Sequence, residues 1–207
     1  MYSMAITRRS TLCSLCFMAV TLCGLPVPTN AQETKPVVVE GQRLAPRLMV
    51  AGADLQLNGS GVRAAGWFKA YVAALYLVAR AGTAEQALAL AGPKRLQLLL
   101  LQDVPASEFS KALRKGLVRN SLAADALRLE ADLARFEAQI NALNKVRKGD
   151  VVDIDQDASG ALLFSVNGTL RGQTSAGSAL FRALLRAFLG DKPYDDKLKA
   201  GLLGQPP

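Results

Sequence analysis

The sequence predicts an α+β fold built on a largely antiparallel sheet, and three observations predict it. Segments of period 2 come first, helical periods follow, and period 2 returns before two final helical segments. That order is not the strand-helix alternation that builds a parallel sheet. Asn167-Gly168 stands between two β-prone runs, the strongest short hairpin signal in the chain. The run from Trp67 to Val78 is apolar on both faces, which marks a central strand covered on both sides over much of its length.

The elements follow in order. Gln32 to Pro46 is a polar, proline-containing lead-in with one β-prone run, Val37-Val38-Val39. Leu48-Met49-Val50 and Leu55-Gln56-Leu57 flank Ala51-Gly52-Ala53-Asp54 and read as a hairpin. Asn58-Gly59-Ser60-Gly61 reads as the next turn. Trp67 to Val78 is the central strand, in which Trp67 and Phe68 are expected in the core and Lys69 extends its stem along the sheet edge. Thr83-Ala84-Glu85-Gln86 carries a capping signature, and Gly92-Pro93 stops the short helix it starts. Leu96 to Leu101 is a second buried strand. Ser107 reads as the N-cap of a helix over Glu108 to Val118. Ala123 to Leu143 is helical, with Leu127, Ala131, Ala134, Ala138 and Ile140 on its apolar side. Val151 to Asp155, Ala161 to Val166 and Thr169 to Gln173 form a three-stranded meander. Its Asp153, Asp155 and Asp157 read as a solvated face, because the spacing lacks the glutamate that completes a calcium loop. Thr174 and Ser175 cap the next helix or reach a cleft. Ser178 to Leu189 and Asp195 to Leu203 are the last two helices.

Composition narrows the chemistry. Residues 1–31 read as an export signal: Arg8 and Arg9, an apolar stretch from Thr11 to Leu25 that is short for a bilayer, then Pro26, Pro28 and small residues before a cut at Ala31–Gln32. The expected location is the periplasm, reached by the general or the twin-arginine route. All three cysteines, Cys13, Cys16 and Cys23, lie in that leader, so the remainder, residues 32–207, holds no disulfide framework. The chain has no histidine. This removes Ser-His and Cys-His nucleophiles, an imidazole base and Cys/His zinc sites. No metal or other cofactor is called for. The formal charge is +8, but lysines and arginines are interspersed with acids, as in Arg128-Leu129-Glu130-Ala131-Asp132. No basic run alternates with aromatics, so nucleic acid is not the expected partner.

The candidate functional residue is Arg63, one guanidinium between a glycine-rich run and an apolar strand. The run Leu57-Asn58-Gly59-Ser60-Gly61-Val62-Arg63, the strand Phe68-Lys69-Ala70-Tyr71-Val72-Ala73-Ala74-Leu75-Tyr76-Leu77, and the helix from Ala179 to Gly190 with Lys192-Pro193 behind it resemble the chalcone isomerase superfamily. The likeness is nearest to its exported bacterial branch and covers most of residues 40 to 204. The resemblance implies an open-faced β-sandwich, a large antiparallel sheet with helices over one face. In that superfamily, plant enzymes close chalcones to flavanones, relatives bind fatty acids in the same cleft, and other members have no known small-molecule role. The resemblance puts Arg63 at the arginine that stabilises developing charge. Tyr71 stands where the enzymes carry a threonine, Phe109 where they carry a catalytic tyrosine, and Gly116 where they carry an asparagine. One oriented donor in a low-dielectric site contributes roughly 3 kcal/mol to a transition state, so these losses weigh against cyclisation.

Three readings follow. The first is binding of a fatty acid or other apolar carboxylate, with Arg63 and Tyr71 at the head group and Phe109 beside the tail, and with peripheral contact to a membrane. The second is an isomerase of intramolecular lyase type using Arg63 and Tyr71. The third is a structural or partner-binding envelope protein in which Arg63 pairs with an acid.

Overall fold

The computed structural model describes residues 35–174 and 177–205. The expected leader, its cut at Ala31–Gln32, and Ser175 lie outside the described residues. In the lead-in, Glu40 and Gly41 take left-handed φ values of 49° and 74°. They fold β1 (Val37–Val39) back on β2 (Gln42–Leu44), a hairpin where one strand was expected. Ala51-Gly52 turns β3 (Arg47–Val50) into β4 (Ala53–Ala65).

Asn58-Gly59-Ser60-Gly61 is not a turn: it lies in the middle of β4. Two demands explain it. The pairing of β4 with β5 (Phe68–Leu77) shifts register between Leu57 and Gly59, a bulge that turns Asn58 out of the ladder. The Asn58 side chain is buried, and its amide donates to Ala81 O at 3.0 Å and Leu202 O at 2.8 Å. The glycines then let the last helix approach: a Cβ on Gly59 would stand 2.2 Å from Gly201 O, and one on Gly61 3.2 Å from Leu198 Cα. The true turn is at Gly66 (φ 61°) and Trp67, so Arg63 sits before a hairpin tip, not after one.

The remaining elements are α1 (Ala84–Ala89), whose Thr83–Gln86 capping box forms as expected, β6 (Lys94–Leu100), β7 (Val104–Pro105), α2 (Ala106–Arg119), α3 (Ala123–Asn141), β8 (Lys145–Val146), β9 (Val151–Gln156), β10 (Leu162–Val166), β11 (Thr169–Thr174), α4 (Gly177–Leu189) and α5 (Asp196–Leu202). Ser107 does not cap α2. The helix begins at Ala106 behind Pro105, and the cap position makes no side-chain hydrogen bond. The apolar side of α3 is Leu133, Phe136 and Ile140, whereas Leu127 is exposed, as are Ala131, Ala134 and Ala138. The polar stripe of α3 explains the offset. Arg114 of α2 binds Glu130 at 2.8 Å and Glu137 at 2.6 Å and fixes which side faces inward.

Seven strands form one antiparallel sheet in the order β11-β10-β9-β6-β5-β4-β3. One face, with Leu75, Leu98, Ile154 and Phe164, packs against α2 to α5. Phe136 and Phe164 meet edge to face there, with centroids 5.5 Å apart. The other face, with Leu57, Val72, Tyr76 and Leu99, is covered over part of its area by Leu44 and Val39 of the β1–β2 hairpin. Asp153 and Asp155 belong to that second face and are buried, not solvated. Arg95 faces Asp155 across the ladder and holds it through bonds of 2.7 and 2.6 Å, while Gln97 donates to Asp153 at 2.9 Å. Asp157 ends its turn by accepting from Ser159 N and Ala161 N, each at 2.8 Å. Among the described residues no helix is long and apolar enough to cross a membrane.

Candidate functional site

Strand register brings the first two site residues together. Arg63 of β4 lies directly opposite Tyr71 of β5, and both point to the helical side. On that side α2 passes over the end of the sheet, presenting Phe109 and Ala112. The loop between α4 and α5 supplies Tyr194, which sequence reasoning did not single out. Together they enclose a hollow of about 270 Å³ with a mainly apolar surface. Arg63, Tyr71 and Phe109 all line it. Phe68 edges the same hollow at 39% exposure, and Trp67 is 93% exposed, so neither belongs to the core as expected. Lys69 does not merely lie along the edge; it holds Glu40 through two 2.8 Å bonds.

The electrostatics of Arg63 are divided. Its Nη1 donates to Ala64 O at 2.7 Å and approaches Asp195 Oδ2 at 3.4 Å. Asp195 is also committed elsewhere, because its Oδ1 accepts from Lys197 N and Leu198 N and caps α5. The other guanidinium N–H groups have no hydrogen-bond acceptor among the described residues. The third reading expects an acid beside Arg63 without naming it, and this one comes from 132 residues away. A pair this long, with side chains 30% and 18% exposed, contributes little by itself.

Tyr71 is partly buried, and its hydroxyl makes no hydrogen bond to another described residue. Burial pushes its phenol well above the ordinary range, Arg63 opposes that rise, and Asp195 adds to it. The hydroxyl is therefore a neutral donor at any physiological pH. Tyr194 is likewise pushed up, first by burial and then by Tyr71. Its hydroxyl is already spent, donating to Ala112 O at 2.7 Å. The loop carrying it is pinned: Asn120 exchanges two bonds with Lys192, and Arg119 donates to Lys192 O and Pro193 O. Gly116 makes room for this tyrosine, since a Cβ there would meet Tyr194 Oη at 2.2 Å and Ala187 Cβ at 2.6 Å. The position expected to have lost an asparagine is thus occupied by a ring from another element.

Two carboxylates stand at the rim. Asp103 accepts from Lys148 N at 2.9 Å and Lys145 Nζ at 3.2 Å, which hold its carboxyl below the usual range. Glu108 pairs with Lys111 in solvent. The hollow thus has one polar corner, Arg63 and Tyr71, set into an apolar wall. That arrangement is suited to an anionic or carbonyl head attached to an apolar body.

A family model described as chalcone isomerase-like matches residues 36–204. The crystal structure of an Arabidopsis thaliana fatty-acid binding protein superposes with a TM-score of 0.63 at 15% identity, covering 82% of this chain and 96% of that one. At that identity the likeness is one of fold, and the open-faced arrangement agrees with it. No curated protein matches the sequence.

Proposed function

The chain belongs to the chalcone isomerase-like family, and from that premise we propose that it binds a fatty acid or another apolar carboxylate without turning it over. One observation carries the reading: a Tyr71 hydroxyl and an edge of Arg63, both without a hydrogen-bond partner among the described residues, meet at the wall of a mainly apolar hollow. A carboxylate there takes a charge-assisted bond from Arg63 and a neutral one from Tyr71. The ligand tail runs along Phe109 and Tyr194. Ligand pockets usually measure roughly 300–1,000 Å³, so this hollow, at about 270 Å³, suits a short acid or the first part of a longer one. The fatty-acid binding protein of the same fold supports the ligand class. The protein acts in the periplasm, a reading supported by the Arg8-Arg9 leader and by cysteines confined to it. N-terminal sequencing of protein from the envelope, starting at Gln32, tests that placement.

Native mass spectrometry of protein taken from cells tests the binding. A retained apolar acid is expected. Arg63→Ala removes a hydrogen bond to a charged group, about 1.5–3 kcal/mol, or roughly tenfold to a hundredfold in affinity. Tyr71→Phe removes a neutral one and loses less. Full retention by Arg63→Ala defeats the proposal.

The opposition of Arg63 and Tyr71 also favours a second reading, polarisation of an enone by an isomerase. Phe109 has no hydroxyl and Tyr194 has already donated its own, which ranks this reading lower. Decay of the enone absorbance of a 2′-hydroxychalcone, lost in Arg63→Ala, would raise it. The third reading, a structural role, rests on the Arg63–Asp195 pair. It predicts that breaking the pair costs stability and leaves ligand affinity unchanged.

A further inference from the structure

Trp67 is the only tryptophan of the chain, and it stands 93% exposed at the turn between β4 and β5. Tryptophan is highly buried on average, so an indole left in water calls for an occupant. Phe68 stands next to it, 39% exposed, with the two rings nearly perpendicular and 6.5 Å apart. The hairpin projects. The neighbouring β6 ends at Leu100 opposite Tyr71, and its last bond is from Leu101 N to Ala70 O, so residues 64–69 of the β4–β5 hairpin run on past β6.

The cations around this tip complete the picture. Phe68 shares the rim of the hollow with Asp103, which is taken up by Lys145 and by Lys148 N. Glu40 is taken up by Lys69. Arg147 lies near enough to Asp103 to act on its carboxyl. The exposed side chains of Arg147 and Lys148 have no carboxylate partner among the described residues.

We propose that this rim docks on a bilayer containing anionic phospholipid, with Trp67 and Phe68 at headgroup depth and Arg147 and Lys148 facing the phosphates. A stable protein interface buries about 1,200–2,000 Å², more than a two-ring tip offers. A projecting aromatic pair flanked by cations is instead the form that enters a lipid interface. The hollow then opens toward the bilayer that dissolves its ligand. The docking extends the ligand reading without resting on it, since vesicle binding and ligand retention are read separately.

The sole tryptophan makes the test specific to the tip, whatever residues 1–34 do. Full-length protein is mixed with vesicles of phosphatidylcholine alone, or with phosphatidylglycerol added, carrying brominated acyl chains. Trp67 emission is expected to shift to the blue and to be quenched about twofold or more on the anionic vesicles only. The double variant Arg147→Glu, Lys148→Glu, shown folded by circular dichroism, is expected to need about thirtyfold more lipid, or more, for the same quenching. Three results overturn the proposal: emission unchanged at saturating lipid, equal quenching of wild type and double variant, or a blue shift that follows protein concentration without lipid. The last assigns the tip to a second copy of the chain.

Discussion

Asp195 holds Arg63 with one oxygen and caps α5 with the other, and the two roles are separable. Asparagine caps helices about as well as aspartate, so Asp195→Asn keeps the cap and removes only the charge. At 3.4 Å and a water-like dielectric, two unit charges interact by about 1.2 kcal/mol, and exposed pairs measure about 0.2–1 kcal/mol. A bound carboxylate competes with Asp195 for the same guanidinium and is repelled by it. Removing that charge is therefore expected to tighten binding of an apolar acid by about 1 kcal/mol, roughly fivefold in Kd. Stability should change by less than about 0.5 kcal/mol, while Asp195→Ala gains the same affinity but loses about 1 kcal/mol with the cap. The assay is displacement of a fluorescent fatty acid, paired with urea melts of all three proteins. The affinity gain should shrink as salt rises. Unchanged or weaker binding by Asp195→Asn refutes the reasoning, because Arg63 would then not be the head-group site.

Two further substitutions probe the frame around the site. Gly59→Ala forces a Cβ against backbone atoms at 2.2, 2.6 and 2.7 Å that cannot rotate away. It is expected to lift α5 and destabilise the fold by about 2–3 kcal/mol or more in urea melts, and a neutral result refutes the close approach. Asp155→Ala strands Arg95, leaving only Asp153 at 3.4 Å. A loss of about 3 kcal/mol is expected from breaking a buried pair, and a loss under about 1 kcal/mol shows that water reaches this face.

How much was legible divides along the range of the interactions. The meander could be read because its signals are local: Asn167-Gly168 and alternating Leu162, Phe164 and Val166 specify their own pairing. The sheet of antiparallel strands followed from element order. Arg63, Tyr71 and Phe109 were gathered by resemblance, and they share one hollow. What failed was whatever depends on a distant segment. The glycines at 59 and 61 looked like turn residues, because their real reason, the passage of α5, lies about 140 residues on. Tyr194 and Asp195 carried no signal beside a helix end, since only packing sets them against Tyr71 and Arg63. Asp153 and Asp155 alternated as surface residues do; that Arg95 stood opposite was invisible without register. Trp67 reads as the first residue of the apolar central strand, but the strand begins one position later, at Phe68, and leaves Trp67 in the turn.

The bond from Asn58 to Leu202 O spans 144 residues, and the contact of Arg63 with Asp195 spans 132. Both tie the first long strand to the final helix. Arg63 therefore meets the wall that faces it only when segments more than a hundred residues apart come together, and closing so long a loop is slow. Ligand-binding competence should therefore depend on the seating of α5, and lifting that helix would disturb β4, which carries Asn58 and Arg63, before it reached the other edge of the sheet.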